Sequence, residues 1–276
     1  GTAQFDKDYG KLFRQPQSHK KQINKMLNYA LSKNLNYVDS AINYKNSKYL
    51  SKFNNNFKII TKLPKLPKNK NYDKWMENLI KKNLEDLNVK KFYAVLFHNN
   101  DFLKDLKKKR IISAIKKLKK KKLCQKIGIS IYEKQEIKKH LNIWKPDIIE
   151  LPYNILDGRL DDSYLKKLKK RKILIFARSI FLKGLILNTS NDKFFNKWKK
   201  IITEWKNWCL KNKLSRLEVS LNYVIQKPFI DKLIIGVDNV KDLREILATK
   251  IRKKIKLPNL KSRDRNLVNP HNWKMK

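Results

Sequence analysis

Glycine is scarce in this chain: six residues in 276, and no two of them form a Gly-x-Gly pair. The glycine-rich dinucleotide fingerprint and the Walker loop are therefore both absent, so a bound nucleotide needs another kind of cradle. Cysteine is scarcer still. Cys124 and Cys209 stand far apart, with no metal-ligand spacing and no disulfide framework. No apolar run reaches the roughly 18 residues that a membrane span requires. The longest candidate, Ile173–Leu187, is cut by Arg178 and Lys183, and no signal-peptide pattern opens the chain. These absences point to a cytoplasmic protein with no metal site and no membrane partner.

Acidic residues are the remaining shortage: 24 Asp plus Glu face 67 Lys plus Arg, a formal net charge of +43. The surplus is mostly lysine and is spread along the whole chain, beside abundant Asn and Ile, as A/T-rich codons would produce. It reads as solvated helix faces, with nonspecific polyanion binding as a side effect. Specific nucleic-acid recognition lacks support, since no aromatic-interleaved basic motif, zinc knuckle or helix-turn-helix pattern occurs. The positive field would still help to recruit an anionic cofactor or substrate.

What is present is an alternation. Short apolar, β-branched or aromatic runs predict strands at Asn36–Asp39, Phe57–Lys62, Phe92–His98, Lys126–Ser130, Asp147–Leu151, Ile173–Ala177 and Leu233–Gly236. Gly1–Phe5 is a further candidate, as if the chain began inside its first strand. Amphipathic, lysine-rich stretches predict helices at His19–Lys33, Ser47–Phe53, Tyr72–Leu87, Leu103–Lys122, Glu133–Leu141, Asp162–Arg171, Phe194–Lys211, Leu214–Gln226 and Val240–Thr249. Ser215 followed by Glu218 has the spacing of a capping box. Continuously apolar strands imply a parallel sheet buried on both faces. Eight strand–helix units over about 250 residues fit a single-domain α/β fold, a (β/α)8 TIM barrel, more closely than an open doubly wound sheet. No linker or repeat divides residues 1–276, and a polar tail from about residue 250 is expected to lie across one end.

Three consecutive strand runs end in a titratable side chain: Asp39, Lys62 and His98. A barrel builds its site where the strands finish, so these groups are expected to share one mouth. In this setting the sequence resembles the aldo/keto reductase family. Asn-Tyr-Val-Asp-Ser-Ala-Ile-Asn-Tyr at 36–44 is similar to the family's strand ending in Asp and leading to Tyr, and Ile-Thr-Lys62 and Leu-Phe-His98 match the next two strand ends. Gly-Thr-Ala-Gln-Phe at 1–5, Ile-Gly-Ile-Ser at 127–130, Leu-Pro-Tyr-Asn at 151–154 and Ile-Ile-Gly-Val at 234–237 extend the likeness in the same order. Gly-Arg-Leu at 158–160 and Arg-Ser-Ile-Phe-Leu-Lys-Gly-Leu at 178–185 resemble a bacterial branch associated with surface-sugar or cofactor metabolism.

The resemblance implies an NAD(P)H-dependent oxidoreductase that reduces an aldehyde or ketone, including sugar-type carbonyls. In that reading Tyr44 is the general acid, Lys62 lowers the phenol's pKa from its ordinary value of about 10, and Asp39 holds Lys62 charged. His98 orients the carbonyl oxygen. Ser130 matches a nicotinamide-binding Ser, but Ile131 stands where the family has Asn, Glu150 where it has Gln, and Arg178 where an aromatic ring usually stacks. Gly236, Val237, Asp238 and Asn239 would meet the cofactor's phosphates at a helix start. Lys241 and Arg244 flank Asp242, which takes the place of the Arg that usually reads a 2′-phosphate. NADP is the preferred cofactor and NAD the alternative. Loops Asn99–Phe102 and Arg178–Asp192 and the tail would shape the substrate pocket. A catalytically impaired barrel acting as a binding protein, or a nonspecific polyanion binder, are the competing readings.

Overall fold

A computed structural model describes residues 1–5, 20–44, 46–68, 71–188, 192–252, 255 and 257–273. His19 and residues 189–191 of the predicted Arg178–Asp192 loop lie outside the described residues, as do parts of the tail.

Among the described residues, seven parallel strands pair in strict chain order: β1 (Tyr37–Asp39), β2 (Lys58–Leu63), β3 (Phe92–Phe97), β4 (Cys124–Ser130), β5 (Ile148–Pro152), β6 (Leu174–Arg178) and β7 (Lys232–Leu233). The predicted strand at Gly1–Phe5 is corrected: Ala3–Phe5 forms a turn of 3-10 helix. Gly1 and Thr2 nevertheless occupy the place of the missing strand. The Gly1 nitrogen donates to the Ile235 carbonyl at 2.8 Å, just beyond β7, and the Thr2 N–H donates to Asp39 at the end of β1 at 2.9 Å. Gly1 and Thr2 thus link the end of β1 to the segment just beyond β7.

Helices α1 (Lys20–Ser32), α2 (Ser47–Leu50), α3 (Tyr72–Leu87), α4 (Lys108–Lys120), α5 (Lys134–Leu141), α6 (Asp162–Lys170), α7 (Lys199–Lys211), α8 (Arg216–Ile225) and α9 (Val240–Ala248) fall within the predicted stretches, and a short α10 (Arg265–Val268) forms in the tail, where no helix was predicted. The lysine runs behave as solvated faces: α4 buries Ile111, Ile115 and Leu118 while its lysines face out. Side chains close several helix starts. Asn71, Asp161 and Asn239 accept from the backbone N–H groups of Lys74, Tyr164 and Asp242. At α8 only half of the predicted capping box forms: Ser215 accepts from the Glu218 N–H at 3.0 Å, but the Glu218 carboxylate pairs with Arg252 instead.

The core divides by strand parity. Side chains such as Ile59, Val95, Ile129, Ile149 and Ile175 face the helices, whereas Ile60, Ala94, Leu96, Ile148 and Phe176 form a separate cluster inside the ring, with Tyr37 and Tyr93 at its edge. Gly128 belongs to the inner set, and a Cβ there would come within 2.3 Å of the Ile148 carbonyl oxygen and 2.7 Å of Leu96. The inner layer has room for no side chain at that point. A third cluster joins α7, α8 and the tail through Trp205, Val219, Leu260, Leu267 and Val268. The tail is anchored on the 156–159 turn. Ser262 donates to Leu156 and accepts from Gly158 at 2.7 and 2.8 Å, and Arg159 donates to the Val268 carbonyl at 3.2 Å. Both cysteines are free and buried.

Candidate active site

A strand's side chains alternate sides, so two steps beyond each inner core residue lies the next inward position. Tyr37 is followed by Asp39, Ile60 by Lys62, Leu96 by His98, Gly128 by Ser130, Ile148 by Glu150 and Phe176 by Arg178. Asp39, Ser130 and Arg178 end their strands, Lys62 and His98 lie within one residue of the end of theirs, and Glu150 lies midway along β5. Parity alone therefore turns a ring of polar groups inward on top of an apolar floor. Tyr44 joins them from the short 3-10 turn Ile42–Tyr44 that follows β1.

Lys62 is the hub of this ring. It is 2% exposed, and Nζ lies 2.5 Å from Asp39 Oδ1, 3.1 Å from the Ser40 carbonyl and 3.3 Å from Glu150 Oε2. Burial opposes the ammonium charge. Asp39, Glu150 and the Tyr44 phenol outweigh it, and the Lys62 pKa is raised. A buried charge persists only when it is paired in this way. The His98 ring meets the Tyr44 ring edge-on with centroids 6.2 Å apart. Burial, then the charges of Lys62 and Arg178, push the His98 pKa down to about 4, so the imidazole is neutral near pH 7.

Glu150 is 1% exposed. Its Oε1 accepts from the Ser130 hydroxyl at 3.0 Å and lies 3.3 Å from Arg178 Nε. Arg178 is itself fixed: Nη2 donates to the Ile131 carbonyl at 3.1 Å, and the guanidinium lies on the Tyr132 ring at 4.2 Å. Ile131 is fully buried in the helix-facing core, so its side chain takes no part in the polar ring.

The more distal predicted residues follow β7 along the start of α9. Gly236 is exposed and carries the Gln4 carboxamide where a Cβ would stand. Val237 and Asp238 are half-buried. The Asn239 side chain caps α9 and also donates to Asp242 at 3.1 Å. Lys241 is exposed, and Arg244 lies over the Tyr29 ring of α1 at 5.1 Å.

Three groups at the mouth were not singled out from the sequence, although Asn100 and His271 lie in the loop and the tail expected to shape the pocket. Tyr132 supports Arg178. His271 packs edge-on to Tyr132 at 6.0 Å from the returning tail, and burial followed by the charges of Lys183 and Arg178 lowers its pKa. Asn100 donates to the Ser130 carbonyl and to Glu136, and accepts from buried His140 at 2.8 Å. None of the three ends an apolar run, so strand punctuation gave no signal for them. Among the described residues there is no cluster able to hold a metal ion.

The model of the Aldo/keto reductase family matches residues 1–255. Among solved structures, the aldo-keto reductase AKR11C1 from Bacillus halodurans, in apo and holo forms, is similar at a TM-score of 0.69 and 16% identity, over 84% of this chain and 82% of that one. The Pseudomonas aeruginosa protein PA4992, described as an aldo-keto reductase, is similar at a TM-score of 0.64 and 17% identity, over 90% and 87%. No curated protein matches the sequence. The fold is a (β/α)8 barrel, the fold of a family of carbonyl-reducing oxidoreductases. The chain belongs to the aldo/keto reductase family, and with it to the NAD(P)H-dependent oxidoreductases.

Proposed function

We propose that this single-domain barrel, residues 1–276, reduces an aldehyde or ketone, including sugar-type carbonyls, with Tyr44 as the proton donor. The observation that carries this reading is the convergence of Asp39, Tyr44, Lys62 and His98 on one mouth. When bound, the nicotinamide supplies hydride to the carbonyl carbon. As negative charge grows on oxygen, the Tyr44 hydroxyl gives up its proton, and the adjacent Lys62 ammonium stabilises the phenolate that remains. Asp39 keeps Lys62 charged and oriented. Neutral His98 donates a hydrogen bond to the carbonyl oxygen, which fixes the face presented for attack.

The residues present suit a nicotinamide cofactor. Ser130 and Glu150 offer polar partners for its carboxamide, and Glu150 Oε2 is a buried acceptor without a hydrogen bond. Arg178, with one face on Tyr132, offers its other face to the ring. Gly236, Val237, Asp238 and Asn239, with Lys241 and Arg244, would hold the phosphate end at the start of α9. The positive field and these two cations favour NADP over NAD. The protein is read as cytoplasmic, with a small-molecule partner and no specific nucleic acid. Among the described residues no helix is long and apolar enough to cross a membrane.

The test is oxidation of NADPH and NADH by the purified protein against aldehydes, keto-sugars and pyridoxal. Turnover with a member of the panel, and tighter binding of NADPH than NADH, is the expected result. Cofactor binding without turnover on any carbonyl would favour the impaired-barrel reading. A strong preference for NADH would overturn the cofactor assignment.

A further inference from the structure

Lys62 has two carboxylate neighbours, and the mechanism above uses only one. Asp39 Oδ1 makes a direct hydrogen bond at 2.5 Å. Glu150 Oε2 stands 3.3 Å from the same nitrogen, fully enclosed, and is off the hydrogen-bonding direction, so it has no hydrogen-bond partner of its own. A buried carboxylate oxygen in that state is costly to maintain. Arg178 compensates it from the far side, 3.3 Å from Oε1, while Ile131 and Tyr132 pin the guanidinium. The ring therefore holds two formal negative charges, Asp39 and Glu150, against two positive ones, Lys62 and Arg178.

We propose that Glu150 is a positioning residue for proton transfer: it shares Lys62 with Asp39, weakens the ammonium's pull on the Tyr44 phenol, and so keeps Tyr44 in its protonated, reducing form. The inference rests on Tyr44 being the proton donor. Tyr44 feels the net field of Lys62 and everything paired with it, and each extra carboxylate close to Nζ cancels part of that field. The groups facing Glu150 are Asp39 from β1, Lys62 from β2, Arg178 from β6 and the nitrogen of Gly1, with Ser130 as its neutral donor from β4. Burial and Asp39 raise its own pKa to about 7, against the pull of Lys62 and Arg178. Protonation of Glu150 removes the brake. With Glu150 protonated, Lys62 acts on Tyr44 opposed by Asp39 alone.

The experiment follows tyrosinate absorbance of the whole protein against pH, using Tyr44→Phe as the reference that isolates Tyr44 among the eleven tyrosines. In Glu150→Gln, an isostere without the charge, the Tyr44 tyrosinate fraction at a fixed alkaline pH rises by about tenfold, one pKa unit. The alkaline limb of the reduction-rate profile moves down by the same amount. Glu150→Asp, which keeps the charge but draws it back from Lys62, shifts both in the same direction by less. It serves alone if the Gln variant fails to fold. A Tyr44 titration that is unmoved in every folded variant overturns the inference, even where their stability falls. If Tyr44→Phe retains normal turnover, the proton-donor reading itself is what fails, and the two failures are thus distinguishable.

Discussion

At the scale of single residues, burial decides which groups carry charge. His98 and His140 are both pushed down to about 4, the first by burial and neighbouring cations, the second by burial alone. Neutral His98 can donate to a carbonyl oxygen without adding a second cation beside Tyr44. The His98 ring is therefore expected to remain neutral through pH 6.5, the ordinary histidine value, and an NMR titration of the His98 imidazole with its midpoint there would contradict it. His140 is structural. Its Nδ1 accepts from the Trp144 indole at 2.9 Å and its other nitrogen donates to Asn100. Its folded pKa lies below its unfolded value, so the unfolded chain binds the extra proton. The stability it contributes is complete above about pH 6.5 and is lost as pH falls toward 4. Between pH 7 and pH 5 this amounts to about 2 kcal/mol. Urea unfolding at the two pH values checks it: the loss of stability should be smaller by about that amount in His140→Gln.

At the scale of elements, strands were the legible part of the sequence, because both faces of a parallel barrel strand are buried and the apolar runs are continuous. Asp39, Lys62 and His98 stood out because each ends such a run. The link through Gly1 and Thr2 was not legible, since it depends on partners at Asp39 and Ile235 supplied by distant parts of the chain. Tyr132 and His271 also escaped. Tyr132 lies just past β4 but ends no apolar run, and His271 reaches the mouth only because the tail docks on the 156–159 turn. The capping-box spacing at Ser215 was half right, as Arg252 outcompetes the helix start for the Glu218 carboxylate. Gly128 carries the clearest elemental prediction. A methyl group there drives β4 away from β5 and the inner leucine, and Gly128→Ala should cost about 1–3 kcal/mol or more, read as a lowered midpoint in chemical denaturation. A variant as stable as the parent would show that the inner layer has slack.

At the scale of the whole molecule, the excess of lysine produces two effects of different kinds. On the outer helices it is solvated, and part of it is absorbed in exposed pairs such as Lys117–Asp73 and Lys121–Glu77, each worth little by itself. As a global field it draws in anions without selecting among them. Binding to DNA should accordingly be weak and sequence-independent, and should fall steeply with salt; tight, sequence-dependent binding at physiological salt would contradict a purely compositional origin for the charge. Charge is paired most closely in the inward ring at one end of the barrel, where two carboxylates and two cations meet. Most of that ring was readable as strand ends, but the pairing of Glu150 with both Lys62 and Arg178 was not, because it links strands that never adjoin Lys62 in sequence. The central claim is that this ring moves a proton through Tyr44 as hydride arrives. Its most direct measurement is single-turnover oxidation of bound NADPH by a carbonyl substrate in Tyr44→Phe, alongside cofactor affinity. The account predicts that hydride transfer is lost while NADPH binds as in the parent; transfer at the parent's rate would contradict it.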